Sequence, residues 1–289
     1  MPGHSIATSR WIAKKGARGL VGGLGRVVPS RRVAGVEIRV LTYHRFGEDH
    51  QSPFTVSAAQ FDREMGYLAS TGKAVSLADV EAFVAGRKAL PDGSVLVTFD
   101  DGDPSVRTVA MPILQKHRVP SVAYILAGRP SGFELMSFDE VRQVQDGGIT
   151  IGSHSISHRS LGGLPRHEAL AELKDSRLRL EDEMGREIRS FAYPFGTRND
   201  MTPDVIACAE EAGYTLAFSS LHGPVVAGAT RLEALTLPRV KVESGDPAWL
   251  FPALCAGAMD RWRIVDNRLS GMQKPCLLYT SDAADEGLG

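Results

Sequence analysis

The sequence predicts an α/β protein in which short buried strands alternate with amphipathic helices about seven times, the pattern of parallel βα units. Two observations carry this. Apolar, β-branched runs recur between helical segments from residue 36 to residue 242. Asp100, Asp101, His154 and Pro194 stand where such runs end, the place functional residues take in a parallel α/β protein. Periodicity alone does not separate a closed or nearly closed barrel from an open doubly wound sheet.

In chain order, Val36 to Tyr43 is the first predicted strand, followed directly by His44. Phe61, Met65 and Leu68 recur at helical spacing within 57–71, and Ser76 is a suitable cap for a helix starting at Leu77. The strand at 94–99 follows, then a helix over 104–117 that opens with Pro104 near its first turn. Val119 to Leu126 reads as a strand, 137–146 as a helix and 149–153 as a strand. Pro165 to Met184 is a long charged helix stopped by Gly185. Phe191 to Tyr193 is a strand, and 203–213 a helix ending at Gly213. Tyr214 to Ser219 and Leu235 to Val242 are the last predicted strands.

Composition is ordinary for a globular chain of 289 residues, with 43% hydrophobic and 23% charged residues. A formal net charge of −1 provides no general attraction to nucleic acid. Cys208, Cys255 and Cys276 have neither paired nor metal-binding spacing. No run approaches the roughly 18 apolar residues that span a bilayer.

Both ends differ from the middle. Residues 1–35 carry Arg10, Lys14, Lys15, Arg18, Arg26, Arg31 and Arg32 and no acid. Gly22, Gly23 and Gly25 interrupt the apolar stretch, so no secretory h-region is evident. On a helical wheel Ile12, Ala13, Ala17, Leu20, Leu24 and Val27 share one face, and Lys14, Lys15, Arg18 and Arg26 the other. That is a basic amphipathic segment suited to peripheral contact with an anionic membrane, the alternative being a flexible basic tail. Residues 276–289 resemble translated read-through of a sequencing adapter, so the natural sequence is expected to stop near Pro275.

The chemistry concentrates in two stretches. Val95-Leu96-Val97-Thr98-Phe99 ends in Asp100-Asp101-Gly102. Successive strand residues face opposite sides, so adjacent acids share a site only where the strand ends. Two carboxylates there need compensation, which a metal ion supplies: one acid binds it and the other serves as a base. About fifty residues on, another strand runs into His154 and His158, four apart. Asp101, His154 and His158 make a two-histidine, one-carboxylate set with open positions, suited to hydrolytic zinc or non-haem iron.

These segments resemble the polysaccharide deacetylase family, the NodB-homology or carbohydrate esterase family 4 enzymes. The resemblance rests on Thr98-Phe99-Asp100-Asp101-Gly102, His154-Ser155-Ile156-Ser157-His158 and Phe191-Ala192-Tyr193-Pro194-Phe195-Gly196. Leu41-Thr42-Tyr43-His44 and Leu237-Pro238-Arg239 resemble the family's first strand and closing segment. It covers roughly residues 37–245 in the family's order. It implies a distorted (β/α) barrel of seven or eight units as a single catalytic domain. The expected division is 1–35 as the basic segment, 36–258 as the deacetylase domain, 259–275 as an extension, and 276–289 as the artefact.

The expected activity is hydrolysis of an N-acetyl amide on a polysaccharide, exopolysaccharide or lipid-linked glycan. One divalent ion, zinc first and otherwise cobalt, nickel or iron, would be held by Asp101, His154 and His158. Asp100 is the expected base toward the attacking water. By resemblance, the backbone N–H of Phe195 stabilises the oxyanion. Ala192 stands where many members carry an arginine that positions the base, and Arg239 is the candidate replacement. The family's Leu-x-His has no clear counterpart, because Leu221-His222 lacks the spacing residue; His222 and His44 are both candidates to protonate the leaving amine. Asp103-Pro104 also replaces an aromatic residue often found after the glycine. An O-acetyl esterase, a sugar deformylase and a non-catalytic glycan-binding domain are the alternatives. A glycan is the expected partner and nucleic acid is not. The expected location is the cytoplasm, at the inner membrane surface.

Overall fold

The computed structural model describes residues 15–16, 18–25, 35–48 and 52–270. The rest of the basic segment, and the tail beginning at residue 276, lie outside the described residues. A parallel sheet forms the frame, made of β1 (Glu37–Tyr43), β4 (Val95–Phe99), β5 (Ser121–Ile125), β6 (Thr150–Ser153), β7 (Ser190–Ala192), β8 (Leu216–Phe218) and β10 (Val240–Lys241). Their order around the curl is β10-β1-β4-β5-β6-β7-β8. Phe218 of β8 also bridges to Leu237, just before β10, so one chain segment touches both ends of the curl. The predicted distorted barrel is the fold observed.

Three short strands were not predicted. β2 (Arg45–Phe46) and β3 (Thr55–Val56) pair with each other after β1, and β9 (Val225–Val226) pairs antiparallel with the start of β1. The predicted strand over 235–242 shrinks to two residues. Thr230 caps a helical turn over Arg231–Ala234 that runs up to Leu235, and Pro238 has no N–H to give the ladder.

Register follows alternation. β1 pairs Leu41 with Val97 of β4, and β5 pairs Ala123 with Ile151 of β6. Leu41, Tyr43, Val97 and Phe99 pack outward with Phe61, Met65 and Leu68 of the helix Ala58–Thr71. Ile38, Val40, Leu96, Val122 and Tyr124 form a separate cluster on the opposite strand faces. Thr42 and Thr98 continue those faces into the site. Helix caps explain several boundaries: Ser57 caps Ala58–Thr71, and Ser76 and Ser137 make capping boxes with Asp79 and Glu140.

Residues 18–25 are helical and lie against the outside of the barrel. Their glycines, which weaken a helix in isolation, permit close packing here. A Cβ on Gly25 would stand 2.1 Å from the Ala258 carbonyl oxygen, and one on Gly22 would be 2.4 Å from Leu250. The amphipathic helix is oriented opposite to a helix that buries its leucines. Arg18 donates to Asp246 at 2.8 Å and Glu243 at 3.2 Å, and Lys15 reaches both acids. Leu20 and Leu24 are 71% and 62% exposed. The extension after residue 258 returns to the barrel as well, through Asp260 to Arg39 at 2.6 Å and through Asp266 to His222.

Candidate active site

The site forms where β4, β6, β7 and β8 end. Asp100 and Asp101 leave β4 in a sharp turn that places Asp101 at φ 76°. His158 adopts φ 58° and Phe195 φ 59°, so three predicted site residues occupy left-handed backbone that non-glycine residues rarely take. Gly196 must be glycine, because a Cβ there would stand 2.5 Å from the Ser220 nitrogen.

Asp101, His154 and His158 converge as predicted. Each histidine Nε2 lies 3.4 Å from Asp101 Oδ1. His154 is buried, and its Nδ1 donates to the Ala192 carbonyl oxygen at 2.7 Å, which leaves Nε2 as a lone pair toward Asp101. Asp101 Oδ1 is buried with no properly aligned hydrogen-bond partner. Burial pushes the Asp101 carboxyl up, and protonated His154 and His158 would outweigh it, holding it well below the usual carboxylate range. A buried anionic oxygen facing imidazole nitrogens is a donor set suited to a divalent cation. The residues present fit the ion that the sequence implies.

Asp100 borders that cluster and is paired separately. Arg239, fully buried, donates Nη1 to Asp100 Oδ1 at 2.7 Å and Nη2 to Oδ2 at 2.6 Å. It also donates Nε to the Ser219 carbonyl at 2.8 Å and lies 5.7 Å over the Tyr124 ring. Burial pushes Asp100 up, yet the Arg239 charge and the neighbouring histidines bring it below its ordinary value. Arg239, just before β10, thus reaches Asp100 in a chain that carries alanine at position 192.

The two candidate acids differ in surroundings. His44, at the end of β1, stacks edge-on against Phe54 at 4.7 Å. Burial lowers its pKa, opposed by the charges of Asp101 and Asp100. His222 lies four residues beyond β8 and is fully buried, with Nδ1 2.8 Å from Asp266 Oδ2. Asp266 also accepts the His222 backbone N–H at 2.9 Å, while Nε2 has no partner among the described residues. Burial lowers the His222 pKa against the pull of Asp266. Sequence reasoning missed Asp266, which belongs to no motif and sits on the helix Arg263–Ser270 in the supposed extension. Phe195 is 39% exposed, and its ring packs 4.9 Å from that of His158.

Residues 87–217 match the family model described as polysaccharide deacetylase. By that match and the motifs inside it, the chain is similar to the polysaccharide deacetylase family. Asp100, Asp101, His154, His158 and Phe195 fall inside that match, and His44, His222, Arg239 and Asp266 outside it. The chain is 24% identical over 219 residues to YxkH of Bacillus subtilis strain 168, a protein named for polysaccharide deacetylation, covering 75% of each chain. It is 25% identical over 181 residues to a Staphylococcus aureus poly-β-1,6-N-acetyl-D-glucosamine N-deacetylase, covering 57% of this chain and 61% of that one. Among solved structures, IcaB from Ammonifex degensii superposes with TM-score 0.66 at 28% identity, covering 78% of this chain and 97% of that one. The Streptococcus pyogenes deacetylase PplD in complex with acetate shares the fold, with TM-score 0.68 at 19% identity over 77% of this chain and 99% of that one.

Proposed function

We propose that this protein is a metal-dependent hydrolase that removes N-acetyl groups from a glycan. The observation that carries the reading is Asp101 Oδ1 facing both histidine Nε2 atoms beside an Asp100 kept ionised by Arg239. The staphylococcal relative's name supports a polymer of β-1,6-linked N-acetylglucosamine as the first substrate to test. Asp101, His154 and His158 are the residues that would hold the ion, with zinc the expected occupant. Bound there, it would acidify a water and polarise the acetyl carbonyl.

Asp100 takes the proton from the attacking water, and Arg239 fixes the orientation of that carboxylate. The backbone N–H of Phe195 donates to the developing oxyanion, with its turn held by Gly196. His44, partly exposed and beside Asp101, Asp100 and His154, is the residue placed to protonate the departing amine. The Nδ1–Asp266 hydrogen bond sets the tautomer of the fully buried His222 ring.

The test is acetate release from β-1,6-linked N-acetylglucosamine oligomers and from O-acetylated counterparts, with and without chelator. N-acetyl release should vanish with chelator and return with zinc. Faster release from the O-acetyl substrate would replace this reading with an esterase.

We propose further that the N-terminal helix rests on an anionic membrane surface, at the cytoplasmic side. No helix among the described residues is long and apolar enough to cross a membrane. Leu20 and Leu24 face solvent one turn apart, while Arg10, Lys14, Arg26, Arg31 and Arg32 flank them in sequence. Vesicles containing anionic lipid should sediment the parent chain and leave a Leu20→Glu/Leu24→Glu variant in solution. Equal sedimentation would contradict the contact, and export of a reporter fused to residues 1–35 would contradict the location.

A further inference from the structure

Two loops supply the second metal-ligating histidine and the oxyanion donor, and they are joined by one carboxyl group. Ser160, two residues after His158, donates its hydroxyl to Asp200 Oδ1. Thr197, two residues after Phe195, donates its backbone N–H to Asp200 Oδ2 at 2.8 Å and its hydroxyl at 2.6 Å. Asp200 is 3% exposed, so these hydrogen bonds are shielded from competing water.

The loops also touch directly. A Cβ on Gly162 would stand 1.7 Å from the Asn199 carbonyl oxygen, an approach only glycine permits. The Phe195 ring packs against the His158 ring. Both residues hold left-handed backbone, a costly conformation that persists where surroundings over-determine it. The middle of the histidine loop is anchored separately. Glu172 accepts the backbone N–H groups of Ile156 at 2.9 Å and Ser157 at 3.0 Å. Glu172 comes from the long helix Arg166–Met184, and its hydrogen bonds among the described residues go to the histidine loop. Asp200 serves both loops.

We infer that Asp200 is a positioning residue that couples the His158 metal ligand to the Phe195 oxyanion donor. The inference rests on the proposed role of the Phe195 N–H. Loss of the Ser160–Asp200 bond frees the His158 loop, which weakens the ion, and loosens its register against the Phe195 turn, which weakens the oxyanion contact.

Ser160→Ala tests this, with Ser160→Thr as the variant that keeps the hydroxyl and Asp200→Asn as a second break in the bridge. Zinc affinity is read by chelator competition. The oxyanion position is read by acetate titration of zinc-loaded protein, following the Phe195 amide by NMR. Ser160→Ala should weaken zinc by about tenfold, the usual scale for losing a supporting hydrogen bond near a metal ligand. It should weaken acetate several-fold in parallel, and Ser160→Thr should restore both. A Phe195 amide that ignores acetate in the parent protein removes the oxyanion reading and the coupling with it. A parent response that Ser160→Ala leaves unmoved, or a zinc effect with no acetate effect, overturns the coupling alone.

Discussion

Replacing Asp100 with asparagine is expected to lower turnover by roughly two to four orders of magnitude while zinc stays bound. The amide preserves the shape of the side chain and one acceptor toward Arg239. It cannot take the proton from water. The division of labour between the two adjacent acids makes this a sharp test. Asp101 Oδ1 faces the histidines, whereas both oxygens of Asp100 are occupied by Arg239. Comparing zinc content and kcat of Asp100→Asn and Asp101→Asn checks it. Equal loss of zinc from both variants would contradict the assignment.

Arg239→Met is expected to cost about 3–5 kcal/mol of folding stability, because it strands a buried carboxylate without its partner. The pH dependence should change sign as well, measured by denaturation of chelator-treated protein. In the parent, Asp100 sits below its unfolded pKa. Its contribution is therefore present above the ordinary carboxylate range and is lost as pH falls through the folded pKa. In the variant burial acts without the guanidinium and the folded pKa rises above the unfolded one. Stability is then retained below the unfolded pKa and lost as pH climbs through the folded pKa. The gap between parent and variant should widen from about pH 4 toward pH 7. A gap that does not vary with pH would show that Arg239 does not control this carboxyl.

Site residues that need a particular element in a particular place were readable without coordinates. Asp101 and His154 fall just past strand ends and His158 four residues after His154, a carboxylate and two imidazoles of the types that suit a metal ion. Arg239 was readable only as a candidate, since its reach to Asp100 depends on Thr98 and Ser219 lying alongside it in the curled sheet. Asp266 was not readable. It arrives 44 residues after His222 on an unremarkable charged helix, and only folding makes the pair. The N-terminal helix shows a different limit. A helical wheel identifies its two faces but not which one docks, and the deciding acids, Glu243 and Asp246, lie more than two hundred positions away. The shortened β10 reflects Pro238, a local rule outweighed in the sequence by the apolar residues around it.

Metal content of the purified parent and of His154→Ala/His158→Ala tests the central claim most directly. The parent should carry one divalent ion per chain, zinc by expectation, and the double variant should carry none at equal folded fraction. A stoichiometric ion that persists without both imidazoles would contradict the account.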